Sequence, residues 1–187
     1  MGFTRQQLEA YRGKTVDDLI APGCRLLFVG INPGLWTAAT NTHFCHPSNR
    51  FYPALRMAGL IDFTVDPETG ITDEQRLDFL GRGLGITNLV PRATARASEL
   101  DRDELVAGSE RVEKVVAEVE PAVVAVAGVT AYRTAFRRPK AQLGNQEELL
   151  GRSVVWVVPN PSGLNAHETT QSLAIWYRQA AEDAGVV

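Results

Sequence analysis

A three-layer α/β/α sandwich with a mostly parallel central sheet is the fold this sequence predicts, on three observations. Short apolar runs rich in β-branched residues recur at 25–29, 84–90, 122–127 and 153–158. Runs without polar alternation suit strands covered on both faces, the usual condition in a parallel sheet. Segments with helical spacing lie between them, and such alternation is the pattern of a layered α/β architecture. Finally, 187 residues, 44% hydrophobic and 22% charged, fit a single globular domain over 1–187.

Taken in order, a short helix is expected over 4–11, then a connector ending at Pro22-Gly23 and the first strand at 25–29. A long loop punctuated by Gly, Pro and Asn follows over 30–47, and a loop of that length inside a compact domain is usually functional. Ser48 is placed to cap a helix through Leu60, with Phe51, Leu55 and Ala58 on one face. An acidic stretch over 62–81 holds a short helix at 73–80, ahead of the second strand at 84–90. Asp101 caps a helix whose stripe is Leu105, Ser109, Val112, Val115, Val116 and Val119, and Pro121 stops it. The strand at 122–127, a helix over 130–136, the strand at 153–158 and a closing helix over 168–184 complete the chain. In that last helix Leu173, Trp176 and Tyr177 face inward.

Composition excludes several classes. The formal net charge is -3, so any polyanion contact must come from a local patch. Two cysteines, Cys24 and Cys45, with no C-x-x-C pair, exclude a disulfide scaffold, a zinc ribbon and a four-cysteine cluster. His43, Cys45 and His46 match no zinc spacing, so neither a metal nor any other cofactor is expected. No apolar run of about 18 residues is present and the N-terminus lacks a signal-peptide core. The expectation is a cytoplasmic monomer with no membrane partner.

Two stretches carry the chemistry. Gly30-Ile31-Asn32-Pro33-Gly34 follows the first strand and Asn160-Pro161-Ser162-Gly163-Leu164 follows the last. In open α/β sheets ligands bind beyond the carboxyl ends of the strands, so both loops should open onto one edge. Neither is a dinucleotide fingerprint nor a P-loop. Alone, Asn-Pro-Gly is also ordinary turn chemistry.

With Phe44-Cys-His-Pro-Ser-Asn-Arg-Phe51 and Gly85-Ile-Thr-Asn-Leu-Val90 between them, the four ordered motifs resemble the mismatch-specific uracil-DNA glycosylase family, bacterial relatives of thymine-DNA glycosylase. The likeness runs from about Leu26 to the last helix. It implies a uracil-DNA glycosylase-like fold and an enzyme acting on double-stranded DNA that contains uracil or a mispaired or modified pyrimidine; with no lysine in the motifs to form a Schiff base with the sugar, a monofunctional enzyme is expected. By that resemblance Asn32 positions the attacking water and Phe44 stacks on the flipped base. The loop residues Ile31, Pro33 and Gly34 surround the base, and Thr37 lies near its carbon 5, where a β-branched residue should favour uracil over thymine. Asn88 reaches the same pocket, unless it merely satisfies its own turn. The stretch Asn160, Pro161, Ser162, Gly163, Leu164 and Asn165 presses on the DNA backbone, with Leu164 as the wedge.

The chemistry suits these residue types. A base must leave the stack before its glycosidic bond can be reached, and mispaired bases leave most easily. Stacking on an aromatic ring stabilises the extruded base by roughly 1–3 kcal/mol. Asn32 can orient water through its carbonyl but cannot accept a proton as a carboxylate would. A slow enzyme dependent on leaving-group quality follows. Among the cations, Arg50, Arg137, Arg138 and Lys140 are the expected phosphate contacts. Where the family continues with Ser-Arg after the leucine, this chain has Asn165-Ala166-His167, so A·U or single-stranded uracil enters as an alternative substrate. A non-catalytic nucleic-acid-binding module is the alternative from another class.

Overall fold

The structure, a computed structural model, describes residues 2–187. Its middle layer is a five-stranded sheet in the order β2-β1-β3-β5-β4. Strands β1 (Leu26–Gly30), β2 (Leu84–Asn88), β3 (Val123–Ala127) and β5 (Val154–Val158) run parallel, and β4 (Gly144–Asn145) is a short antiparallel edge.

Successive strand side chains alternate between two cores, which is why the strands read as unbroken apolar runs. Leu26, Phe28, Val123, Ala125, Trp156 and Val158 face one core. There they meet Phe51 and Leu55 of α3 (Phe51–Met57) and Leu173, Tyr177 and Ala181 of α7 (Thr170–Ala184). Leu27, Val29, Val124, Val126, Val155 and Val157 face the other core, against Val112 and Val116 of α5 (Arg102–Val119) and Ala131, Tyr132 and Ala135 of α6 (Val129–Ala135). Each fully buried Leu or Phe contributes about 1.5–3 kcal/mol relative to exposure. The three layers expected from the sequence are therefore present.

Helix starts follow their caps. The Asp101 side chain accepts from Glu104 N at 2.8 Å, and Thr169 accepts from Ser172 N at 3.1 Å, so the last helix begins at Thr170 rather than at 168. Ser48 does not cap: its hydroxyl and backbone N–H both bond His46 Nδ1, and α3 starts later, at Phe51. The long loop after β1 contains a helix, α2 (Leu35–Thr40), and β4 is also new. A Gly-Asn pair offers no apolar signal by which the latter could be read. Helices α1 (Arg5–Glu9) and α4 (Asp73–Gly81) complete the set.

Strand order reverses at β1. The chain passes from β1 to β2 on one side, and α5 then carries it across to β3 on the other. Such a reversal opens a crevice at the carboxyl ends of β1 and β3. No helix among the described residues is long and apolar enough to cross a membrane.

Candidate functional site

The parallel strands end on one edge, where Gly30 of β1 pairs in register with Asn88 of β2. Gly128, just past β3, joins the two sequence motifs. Its φ is 102°, a region that favours glycine, and a Cβ there would lie 3.5 Å from Ile31 Cδ1 and 3.8 Å from Asn160 Cβ. The 30–34 and 160–164 loops thus flank the crevice from two sides.

Asn32 is held by its amino group. Nδ2 donates to Arg92 O at 3.0 Å, to Pro33 O at 3.1 Å and to Thr94 Oγ1 at 2.8 Å. Backbone carbonyls only accept, so the amide orientation is forced and Oδ1 is the end left open. Thr94 Oγ1 in turn donates to Arg96 O, so its lone pairs face Asn32. A half-buried carboxamide with an anchored amino end presents its acceptor at fixed geometry.

Beside it, Gly30, Phe44 and Asn88 close together. A Cβ at Gly30 would overlap Asn88 Oδ1 and stand 2.9 Å from Phe44 Cζ, so only glycine fits. Phe44 is half-buried, with φ 56°, and one face stacks on Phe51 at 4.2 Å between centroids. Phe51 is itself wedged against Phe28 and Tyr177, so the Phe44 platform rests on the core.

Asn88 is buried and braced twice. Arg111 Nη1 donates to its carbonyl at 2.7 Å and to Thr87 Oγ1 at 2.9 Å, while Arg111 Nη2 pairs with Asp18 Oδ2 at 2.7 Å. Asn88 Nδ2 donates to His43 Nδ1 at 3.1 Å, and His43 Nε2 meets Asp17 O at 2.8 Å. Because that carbonyl can only accept, Nε2 carries the proton and Nδ1 is the acceptor. Both ring nitrogens are occupied, and Cys45 Sγ turns away to Asp66 O and Pro67 O.

Burial lowers the His43 pKa from 6.5, outweighing the opposing influence of the Asp17 carbonyl and the Asp18 carboxylate; Arg76 and Arg111 also lower it. The folded protein keeps this ring neutral while the unfolded chain takes up a proton below about pH 6.5. Its contribution to stability is therefore complete above that pH and is lost as pH falls toward the folded pKa. Melting curves of wild type and H43N between about pH 7.5 and 5 should show the steeper loss in wild type. Parallel slopes would assign the acid sensitivity to other groups.

The 160–164 loop is stiffened by its own side chains. Asn160 Oδ1 accepts from Ser162 N at 3.0 Å, and Asn165 Nδ2 donates to Asn160 O at 3.0 Å. Pro161 O accepts from Arg50 N at 3.0 Å. A Cβ on Gly163 would sit 2.6 Å from Ser48 Cβ and 2.7 Å from Ser48 O, so glycine permits the close approach to the 46–50 turn. Leu164 stands at the tip, 91% exposed.

Two of the expected phosphate contacts, Arg50 and Arg138, are engaged within the protein. The Arg50 guanidinium donates to Ser162 O at 2.6 Å, Asn165 O at 2.7 Å and Glu168 O. Its donors face the loop's carbonyls, so it clamps the loop rather than reaching outward. Lys140 lies on the return to β4, whose Gly144 pairs with Val157 near the carboxyl end of β5, while Arg137 and Arg138 follow α6, which runs back from the carboxyl end of β3 toward the opposite edge of the sheet. There Arg138 pairs with Glu148 at 3.0 Å, ahead of the amino end of β5. Arg137 and Arg138 also line a cavity of about 390 Å³ at that edge, and a second, of about 560 Å³, lies beside α3 around Tyr52, Met57 and Phe63. Neither cavity coincides with the loop cluster. Thr37 is buried within α2, on the same loop as Asn32.

Sequence reading missed Thr94, the Arg92 carbonyl and the bracing by His43, Asp18 and Arg111. Only the hydroxyl of Thr94 and the neighbouring Gly-Ile-Thr-Asn motif hinted at a polar cluster, and the pairings span 23 to 93 positions.

Two comparisons bear on this arrangement. The family model for the uracil DNA glycosylase superfamily matches residues 18–183. The fold is similar to the solution NMR structure of a putative uracil DNA glycosylase from Methanosarcina acetivorans, with TM-score 0.57 and 15% identity, over 91% of this chain and 98% of that one.

Proposed function

Because this chain belongs to the uracil DNA glycosylase superfamily, we propose that it hydrolyses the N-glycosidic bond of uracil in DNA, leaves an abasic site, and favours G·U mispairs. The observation that supports this best is the Asn32 carboxamide. Its amino end is pinned by three acceptors and its carbonyl is open beside the Gly30–Phe44–Asn88 cradle.

In this reading the extruded base lies on Phe44 and its edge meets Asn88. Water held by Asn32 Oδ1 attacks the anomeric carbon as the base departs. The sugar develops positive charge and the uracil negative charge, and hydrogen-bond donors placed where that charge appears lower the barrier. Leu164 occupies the space the base vacates, as inserted apolar side chains do in other duplexes. No lysine lies among these residues, so the enzyme is monofunctional: water and not an amine takes the sugar. G·U favours the reaction because a mispaired base costs less to unstack.

Labelled duplexes containing G·U, A·U or G·T, and single-stranded uracil, are incubated and then treated with alkali to cut abasic sites. Cleavage greatest at G·U is the expected result. Tight binding with no abasic product from any substrate would replace the enzyme with a binding module. T37A should raise the G·T to G·U rate ratio by about tenfold, since one methyl's worth of space discriminates on that scale. An unchanged ratio would remove Thr37 from the neighbourhood of carbon 5.

A further inference from the structure

We propose that His43 is a positioning residue: by accepting from Asn88 Nδ2 it holds the Asn88 carboxamide with Oδ1 toward the base cradle, and so sets which base edge the site accepts. The inference rests on the base-excision reading above and adds a determinant of specificity to it.

The carboxamide of Asn88 is nearly symmetric in shape but opposite in chemistry at its two ends, so its orientation must be imposed by a neighbour. The neighbour is His43, 4% exposed, whose Nδ1 lies 3.1 Å from Asn88 Nδ2. Its tautomer is itself imposed, because Nε2 lies 2.8 Å from the Asp17 carbonyl, which cannot donate. A backbone carbonyl therefore determines a ring tautomer, and the ring determines an amide. Oδ1 ends beside Gly30 and the rim of Phe44, where a Cβ on Gly30 would overlap it. Arg111, held by Asp18, fixes the main chain of the same residue.

The consequence is chemical. Uracil presents N3–H as a donor with O4 as an acceptor beside it. Cytosine presents the reverse, a bare N3 and an N4 amino group. An Asn88 that offers Oδ1 and its second N–H pairs with uracil at both atoms. Against cytosine the same pair sets lone pair against lone pair and hydrogen against hydrogen. Turning the amide over exchanges the two preferences. Sites built to hydrogen-bond a particular edge reject its absence strongly, since buried polar groups are then left unpaired. Without His43 as acceptor, either orientation becomes available and discrimination falls.

Three substitutions separate positioning from simple packing. H43F removes both ring hydrogen bonds. H43Q puts its amide at the position of Nε2, keeping the Asp17 bond and losing the acceptor for Asn88. H43N puts a carbonyl at the position of Nδ1, keeping that acceptor and losing the Asp17 bond. The measurements are melting temperature, single-turnover uracil release from G·U duplex, and affinity for uncleavable 2′-fluoro-deoxyuridine and 2′-fluoro-deoxycytidine. Each analogue is placed opposite an abasic position, so that base pairing does not bias the comparison.

The uridine-over-cytidine affinity ratio should fall about tenfold or more in H43Q and H43F. In H43N it should stay within about threefold of wild type. A ratio that follows melting temperature, with H43Q near wild type and H43N reduced, would overturn the proposal and leave His43 a packing residue. Equal ratios in all four proteins would overturn it as well. Failure of the base-excision reading looks different: wild type would release no uracil, whatever the ratio in the variants.

Discussion

Asn32→Ala should lower the single-turnover rate of uracil release about a hundredfold or more, with DNA affinity little changed, because orientation of the attacking water acts chiefly in the transition state. The geometry adds a sharper expectation for Asn32→Asp. A carboxylate there is often the better base, but here two backbone carbonyls and the lone pairs of Thr94 Oγ1 surround the position of Nδ2. An aspartate would set oxygen against oxygen at each contact. Asn32→Asp should therefore remain slow and lose roughly 1–3 kcal/mol of stability, the usual cost of an unpaired buried polar group. Urea unfolding beside single-turnover kinetics checks both. A fast, stable Asn32→Asp enzyme would mean that the three bonds to Nδ2 do not constrain the site. Wild-type rates should also lack an acidic limb belonging to a carboxylate. The Asp18 carboxylate is committed to Arg111 and Thr87, and no Asp or Glu lies among the cradle residues.

Arg50→Ala is the second large effect expected. Three carbonyls of the 160–168 segment converge on one guanidinium, and hydrogen bonds to a charged group contribute about 1.5–3 kcal/mol each before relaxation. Loss of the clamp should lower stability by roughly 2–4 kcal/mol and release the loop that carries Leu164. Uracil release should then slow about tenfold or more, while the salt dependence of DNA binding is unchanged, since no phosphate contact is removed. The opposite pattern, a slope of log Kd against log salt reduced by about one with stability intact, would return Arg50 to the DNA interface. The distinction matters because every positive charge near a loop of this kind invites a phosphate role. Arg92 illustrates the same point: its guanidinium pairs with Glu104 through two bonds and holds that carboxyl down to about 2.

The parts that local chemistry controls were legible in the chain. Unbroken apolar runs marked four strands, because each is covered on both faces and has no solvent side to mark with polar residues. Asp101 and Asn32 stood out through their own side chains and their neighbours in sequence, one as a helix cap and one as the amide of a tight Asn-Pro-Gly turn. The order of the four motifs pointed to the uracil DNA glycosylase superfamily, whose family model matches residues 18–183. Helix α2 was hidden in what read as loop, and Ser48 lost its expected cap role to the adjacent His46 ring. Single polar side chains have several partners within reach, and sequence cannot choose between them.

What the sequence determined by itself was the layer pattern, the two loops at strand ends and the residue types they offer, since these depend on periodicity and turn chemistry within a few residues. What only the tertiary structure decided was direction. It turned Arg50 inward to three carbonyls, carried Arg137 and Arg138 to the far edge, and set His43 against Asn88. Hydrogen bonds between groups far apart in the chain form only when packed strands and helices bring a particular donor to a particular acceptor. Their geometry belongs to the fold, and no window of sequence contains it.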